Sequence, residues 1–111
     1  VKYVSVCSTS FLILPKKETL KGSVSSYNSA HLSWNKQGSA TGYTIMYSTD
    51  KTFNTAFKYK HITKPETTNT TIKNLKSNTK YYFKIRAYKT NVGYGKWSKT
   101  VKIKTNLLLQ L

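Results

Sequence analysis

Between Asn74 and Tyr88 the chain passes from a turn-forming stretch, Asn74-Leu75-Lys76-Ser77-Asn78, into a segment whose alternate residues Tyr81, Phe83, Ile85 and Ala87 are apolar. Leu75 stands six positions ahead of Tyr81. That is the spacing of a tyrosine corner, in which a tyrosine opening a strand folds its ring over the preceding loop and bonds its hydroxyl to backbone there. Such a corner belongs to two-sheet antiparallel sandwiches. Elsewhere no segment carries apolar residues at helical spacing, while period-two alternation recurs with Gly, Pro, Asn and Ser between the runs.

The alternation predicts seven strands. The first contains Leu20, Gly22 and Val24, and the second points Ala30, Leu32 and Trp34 inward. On the third, Tyr43, Ile45 and Tyr47 face the core and Thr44, Met46 and Ser48 face outward, because successive side chains of a strand switch face. A short strand from Phe57 to His61 follows, then Thr70 to Leu75 with Ile72 inward, then the corner strand with Tyr81, Phe83, Ile85 and Ala87 inward; Val101 and Ile103 close the sheet. Trp34 is the expected centre of the core, where a large ring touches both sheets, and its loss to alanine should unfold the domain. Trp34, Tyr43, Ile45, Tyr47, Leu75, Tyr81, Phe83 and Ile85 form the candidate core.

Trp34, the run Gly42-Tyr43-Thr44-Ile45-Met46-Tyr47-Ser48, the corner at Leu75 and Tyr81, and Tyr94-Gly95-Lys96-Trp97-Ser98 together resemble the fibronectin type III domain, in its lysine-rich form from bacterial surface and secreted proteins. The resemblance covers residues 16–105. It implies an all-β, immunoglobulin-like sandwich, here with an extra N-terminal strand. Residues 1–15 read as an N-terminal strand and linker, with Pro15-Lys16-Lys17 as the linker, and residues 106–111 as an apolar extension. Tyr94 to Ser98 is also similar to half of the Trp-Ser repeat of cytokine receptors, which implies a cation-π ladder of Lys84, Arg86 and Trp97. The other half of that repeat is missing, so receptor function is not implied.

One cysteine, Cys7, permits no internal disulfide. The longest apolar run, Phe11-Leu12-Ile13-Leu14, falls far short of the roughly 20 residues that cross a bilayer; a domain without a transmembrane segment is expected. The start at Val1 rather than methionine fits a processed or excised chain. Eighteen lysines and one arginine against three acids give a formal net charge of +16, so polyanions should be attracted. The same residue bias is what an AT-rich genome imposes, and the charge alone does not separate the two readings. With Arg86 as the sole guanidinium, specific nucleic-acid recognition is not expected.

Catalysis finds little to work with. Glu18, Asp50 and Glu66 are scattered over turns and linkers, offering no carboxylate pair, and Cys7, His31 and His61 are too few for a metal site with its usual three or four protein ligands. No enzyme activity and no cofactor are expected. Contacts with partners are assigned instead to Tyr82 and Tyr88 on the outward face, to Tyr94 at the tip of the loop from Lys89 to Lys96, and to Phe11, Leu12, Ile13 and Leu14 in the N-terminal tail. That loop lacks the Arg-Gly-Asp tripeptide of integrin-binding relatives. Asn69-Thr70-Thr71 is a glycosylation sequon wherever the chain passes through a eukaryotic secretory route.

The functional expectation is a non-catalytic module of a secreted or cell-surface protein, serving as spacer and as contact surface for proteins or anionic cell-wall polymers. The alternative is a self-assembling subunit of a filament, sheath or viral particle, joined by exchange of terminal strands between copies. A weaker alternative is an accessory glycan-binding module.

Overall fold

The computed structural model describes residues 14–108, and within them the chain forms eight strands and no helix. The strands are β1 (Lys21–Ser26), β2 (Ser29–Ser33), β3 (Gly42–Ser48), β4 (Lys58–Ile62), β5 (Asn69–Ile72), β6 (Lys80–Lys89), β7 (Gly93–Tyr94) and β8 (Val101–Lys104). They make two antiparallel sheets, β1-β2-β5 and a larger one in which β3 lies between β4 and β6. The tail residues Phe11, Leu12 and Ile13, and with them the extra N-terminal strand, lie outside the described residues.

The eighth strand corrects the expected seven. β7 pairs with Tyr88 and Lys89 of β6, and β8 pairs with its other half, from Lys80 to Phe83. Since β3 occupies the opposite edge of β6, β7 and β8 lie end to end along one edge, as a single final strand broken in the middle. Between them the chain still follows β6: Gly95 N–H donates to Ala87 O (2.9 Å), Ser98 N–H to Ile85 O (2.8 Å), and Ile85 N–H to Ser98 Oγ (3.1 Å). A side chain thus replaces one rung of the ladder.

The core lies between the sheets. Leu32, Tyr43, Ile45, Phe83 and Ile85 are fully enclosed, with Ala30, Ile72, Leu75 and Ile103 around them. Trp34 is 5% exposed, follows β2, and its ring sits 5.5 Å from that of Tyr43 in the opposite sheet. Tyr47 is partly buried and stacks on Phe83 at 5.7 Å. Lys76 N–H donates to the Tyr81 hydroxyl at 2.8 Å, while Leu75 N–H donates to Asn28 O at 2.9 Å, so the corner is tied both to its own strand and to the β1–β2 turn.

Several strand limits differ from the sequence expectation. Leu20 precedes β1 and Trp34 follows β2; Phe57 precedes β4. Leu75 lies beyond β5, because Asn74 adopts φ 64° and turns the chain off the sheet. Thr44, Met46 and Ser48 do face outward, yet all three are buried. β3 is the central strand, and its neighbours and the following turn cover its outer face: Thr44 Oγ1 lies 3.2 Å from His61 Nδ1, and Ser48 Oγ donates to Thr55 O at 2.6 Å. Nor does Pro15-Lys16-Lys17 hang free as a linker. Pro15 is buried, Lys16 N–H donates to Gln37 Oε1 (3.0 Å), and Gln37 Nε2 returns bonds to Lys16 O (2.7 Å) and to Glu18 Oε2 (2.8 Å), so one side chain clamps the segment.

Candidate functional site

The outer face of the larger sheet gathers rings and cations. Lys84 and Arg86 project from it at alternate positions of β6, as period two requires. Trp97, held by the two bonds of Ser98 to Ile85, lies between them: Lys84 Nζ is 4.8 Å and the Arg86 guanidinium carbon 4.3 Å from its ring centre. The ladder continues at both ends. Lys84 Nζ is 4.3 Å over Phe53, and the Arg86 guanidinium is 3.8 Å over Tyr94, giving the order Phe53, Lys84, Trp97, Arg86, Tyr94. Tyr94 in turn lies 6.0 Å from Tyr88.

The ladder changes its own chemistry. Burial, and after it the positive charge of Arg86, hold the Lys84 ammonium below the ordinary lysine pKa. Arg86 Nε is buried without a hydrogen-bond partner, so the aromatic faces take the place of water around the guanidinium. Phe53 reaches Lys84 from the β3–β4 turn, where it is buried with φ 60°, a costly conformation for a bulky residue. Asp50 shapes that turn. Its carboxylate accepts from Thr52 N–H and Oγ1 and from the amides of Asn54 and Thr55, and these bonds, Thr52 first, lower its pKa from 3.8 to about 2.

Tyr94 is not at a loop tip, as the sequence suggested. It belongs to β7, paired with Tyr88, and the tip is Thr90-Asn91-Val92, closed by a bond from Val92 N–H to Lys89 O; Tyr94 nonetheless remains half exposed. Tyr82 and Tyr88 are partly buried on the same face, and Leu14 is exposed. His31 Nδ1 lies 3.2 Å from Thr71 Oγ1, and His61 beside Thr44, on opposite sheets. Among the described residues no group of three or more His, Cys, Asp or Glu comes together, and no helix is long and apolar enough to cross a membrane.

Two features escaped the sequence reading. Phe57, Tyr59 and His61 line one face of the β4 edge, all exposed, with ring centres 5.8 and 6.1 Å apart. Their i, i+2, i+4 spacing was a legible signal. Phe53 gave none, because its place under Lys84 depends on the shape of a turn.

A model of the fibronectin type III domain matches residues 15–104. The crystal structure of the FN1-FN3 domains of chicken CNTN1 is 28% identical, superposes with a TM-score of 0.73 and covers 83% of this chain, which spans only 33% of that one. The solution structure of the fn3 domain of human contactin 1 is 18% identical with a TM-score of 0.77, covering 88% of this chain and 84% of that. The third fibronectin III domain of human KIAA0343 protein is 20% identical with a TM-score of 0.70, covering 87% of each chain. At 18% and 20% identity the last two establish the fold alone. None of the curated proteins matches the chain.

Proposed function

From the premise that the chain belongs to the fibronectin type III family, whose members are typically structural or interaction modules, we propose that it is a non-catalytic module of a secreted or cell-surface protein, acting as spacer and contact surface. Residues 16–105 would be the working unit, with residues 1–15 and 106–111 as its connections to neighbours. The observation that carries this reading is the exposed row of Phe57, just before β4, with Tyr59 and His61 on it. Large rings left in water on an edge strand favour contact with another protein, since their burial on binding recovers hydrophobic free energy and a strand edge offers free backbone groups. Candidate contacts beside this row are Tyr82, Tyr88 and Tyr94.

A second reading, a self-assembling subunit, draws support from Leu14, Leu107 and Leu108, all exposed at the two ends of the sandwich sequence. Analytical ultracentrifugation of the intact chain at low and high salt tests both. A monomer at both salts supports the module. Large species that persist in high salt and vanish when residues 1–14 are deleted would replace it with the subunit.

A further inference from the structure

On the side of the sandwich where β4 and β5 are the edge strands, the two sheets stand apart. Two cavities of about 430 and 570 Å³ open there, and both are bounded by Tyr47, Lys73 and Asn74, so they form one cleft running between the sheets. Lysines stand along it: Lys58 and Lys60 from β4, which alternate to the face opposite the aromatic row, and Lys73 and Lys76 from the β5–β6 connection; all four are exposed. No carboxylate lines either cavity. Asp50, just beyond Thr49 at one end, spends both oxygens on its own turn.

The wall is more than a set of charges. Tyr47 presents a ring, fixed from behind by Phe83, and burial raises its pKa, so the phenol remains a proton donor at neutral pH. Asn74 adds a neutral hydrogen-bonding group. We propose that this cleft binds an acidic polysaccharide, with ammonium groups of Lys58, Lys60, Lys73 and Lys76 facing its carboxylates or sulfates and Tyr47 and Asn74 meeting its sugar rings and hydroxyls. Nucleic acid fits less well. The one guanidinium able to fork onto phosphate, Arg86, is held between Trp97 and Tyr94 on the outer face.

The proposal rests on the contact-module reading, and the experiment separates the two. Calorimetric titration at about 0.05 M NaCl, where the Debye length is above 10 Å, would use four oligomers of equal length: a polyuronate, a sulfated glycan, a neutral glucan and a single-stranded DNA. Two variants would accompany the intact chain, each lowering the net charge of +16 by four. One carries Lys58→Gln, Lys60→Gln, Lys73→Gln and Lys76→Gln; the other carries Lys17→Gln, Lys21→Gln, Lys36→Gln and Lys99→Gln, exposed positions outside the cleft. Because every replaced lysine is exposed, both should fold, and their melting curves check this. The expected result is binding of one or both acidic glycans but not the neutral one, weakened about tenfold or more in the cleft variant and about threefold or less in its charge-matched partner. Equal weakening in both variants would overturn the cleft and leave the module reading standing. DNA binding as tight as the acidic glycan's and equally dependent on the cleft lysines would overturn the assignment to sugar, as would no binding of either acidic glycan.

Discussion

Two cations lie over the Trp97 ring, and its removal tests how much the outer ladder contributes. Trp97→Ala should destabilise the domain by about 2–3 kcal/mol, the sum of two cation-π contacts and the ring's burial, read from the shift of the urea midpoint. With the ring gone, water returns to Lys84 and its pKa should rise toward the ordinary lysine value, measurable by NMR titration of its side chain. Gly42 is constrained from the other direction. A Cβ there would press on the Ile62 carbonyl and on the Tyr88 ring, where β3 meets the end of β4. Since a carbonyl in a paired strand cannot step aside, Gly42→Ala should cost about 2–3 kcal/mol of overpacking, again visible in the urea midpoint.

Among the elements, the β3–β4 turn is a carboxylate-centred structure whose stability must depend on pH. The Asp50 pKa is about 2 in the folded state against an ordinary 3.8. A lowered folded pKa means that the turn's contribution is complete above the unfolded value and fades as pH falls from 3.8 toward 2. Asp50→Asn should therefore flatten the acid limb of a stability-pH curve and speed amide exchange at Thr52, Asn54 and Thr55. In the tyrosine corner, Tyr81→Phe keeps the ring and deletes the acceptor of the Lys76 amide, at an expected cost of about 1 kcal/mol by chemical denaturation. The corner strand was legible in the sequence because its pattern is local: alternation sorts Tyr81, Phe83, Ile85 and Ala87 from Lys84 and Arg86 by geometry alone. The last strand was not, because its break depends on Ser98 Oγ replacing a rung on β6, a partnership that no spacing within Tyr94 to Ser98 announces.

At the scale of the molecule, a net charge of +16 on 111 residues sets lysine against lysine. Screening should relieve this, so the melting temperature should rise by a few degrees between very low salt and about 0.15 M NaCl, where the Debye length is about 8 Å. The cleft variant and its charge-matched partner should each melt higher than the intact chain at low salt, for the same reason. Composition and alternation by themselves determined that the chain is all-β and that its surface is cationic, since strand faces and net charge are properties of neighbouring residues and of sums; the two-sheet sandwich of the fibronectin type III kind was legible only through the resemblance carried by Trp34, the run from Gly42 to Ser48, the Leu75 and Tyr81 corner, and Tyr94 to Ser98. What lies against what was decided only by the tertiary structure. Phe53 comes beneath Lys84 through a strained turn, Thr44, Met46 and Ser48 are covered although they face outward, and lysines of β4 and of the β5–β6 connection meet across one cleft. The first is fixed by the fold of a turn, the second by the strands that pair on either side of β3, and the third by the packing of one sheet on the other, and none of these is recorded in a pattern along the chain.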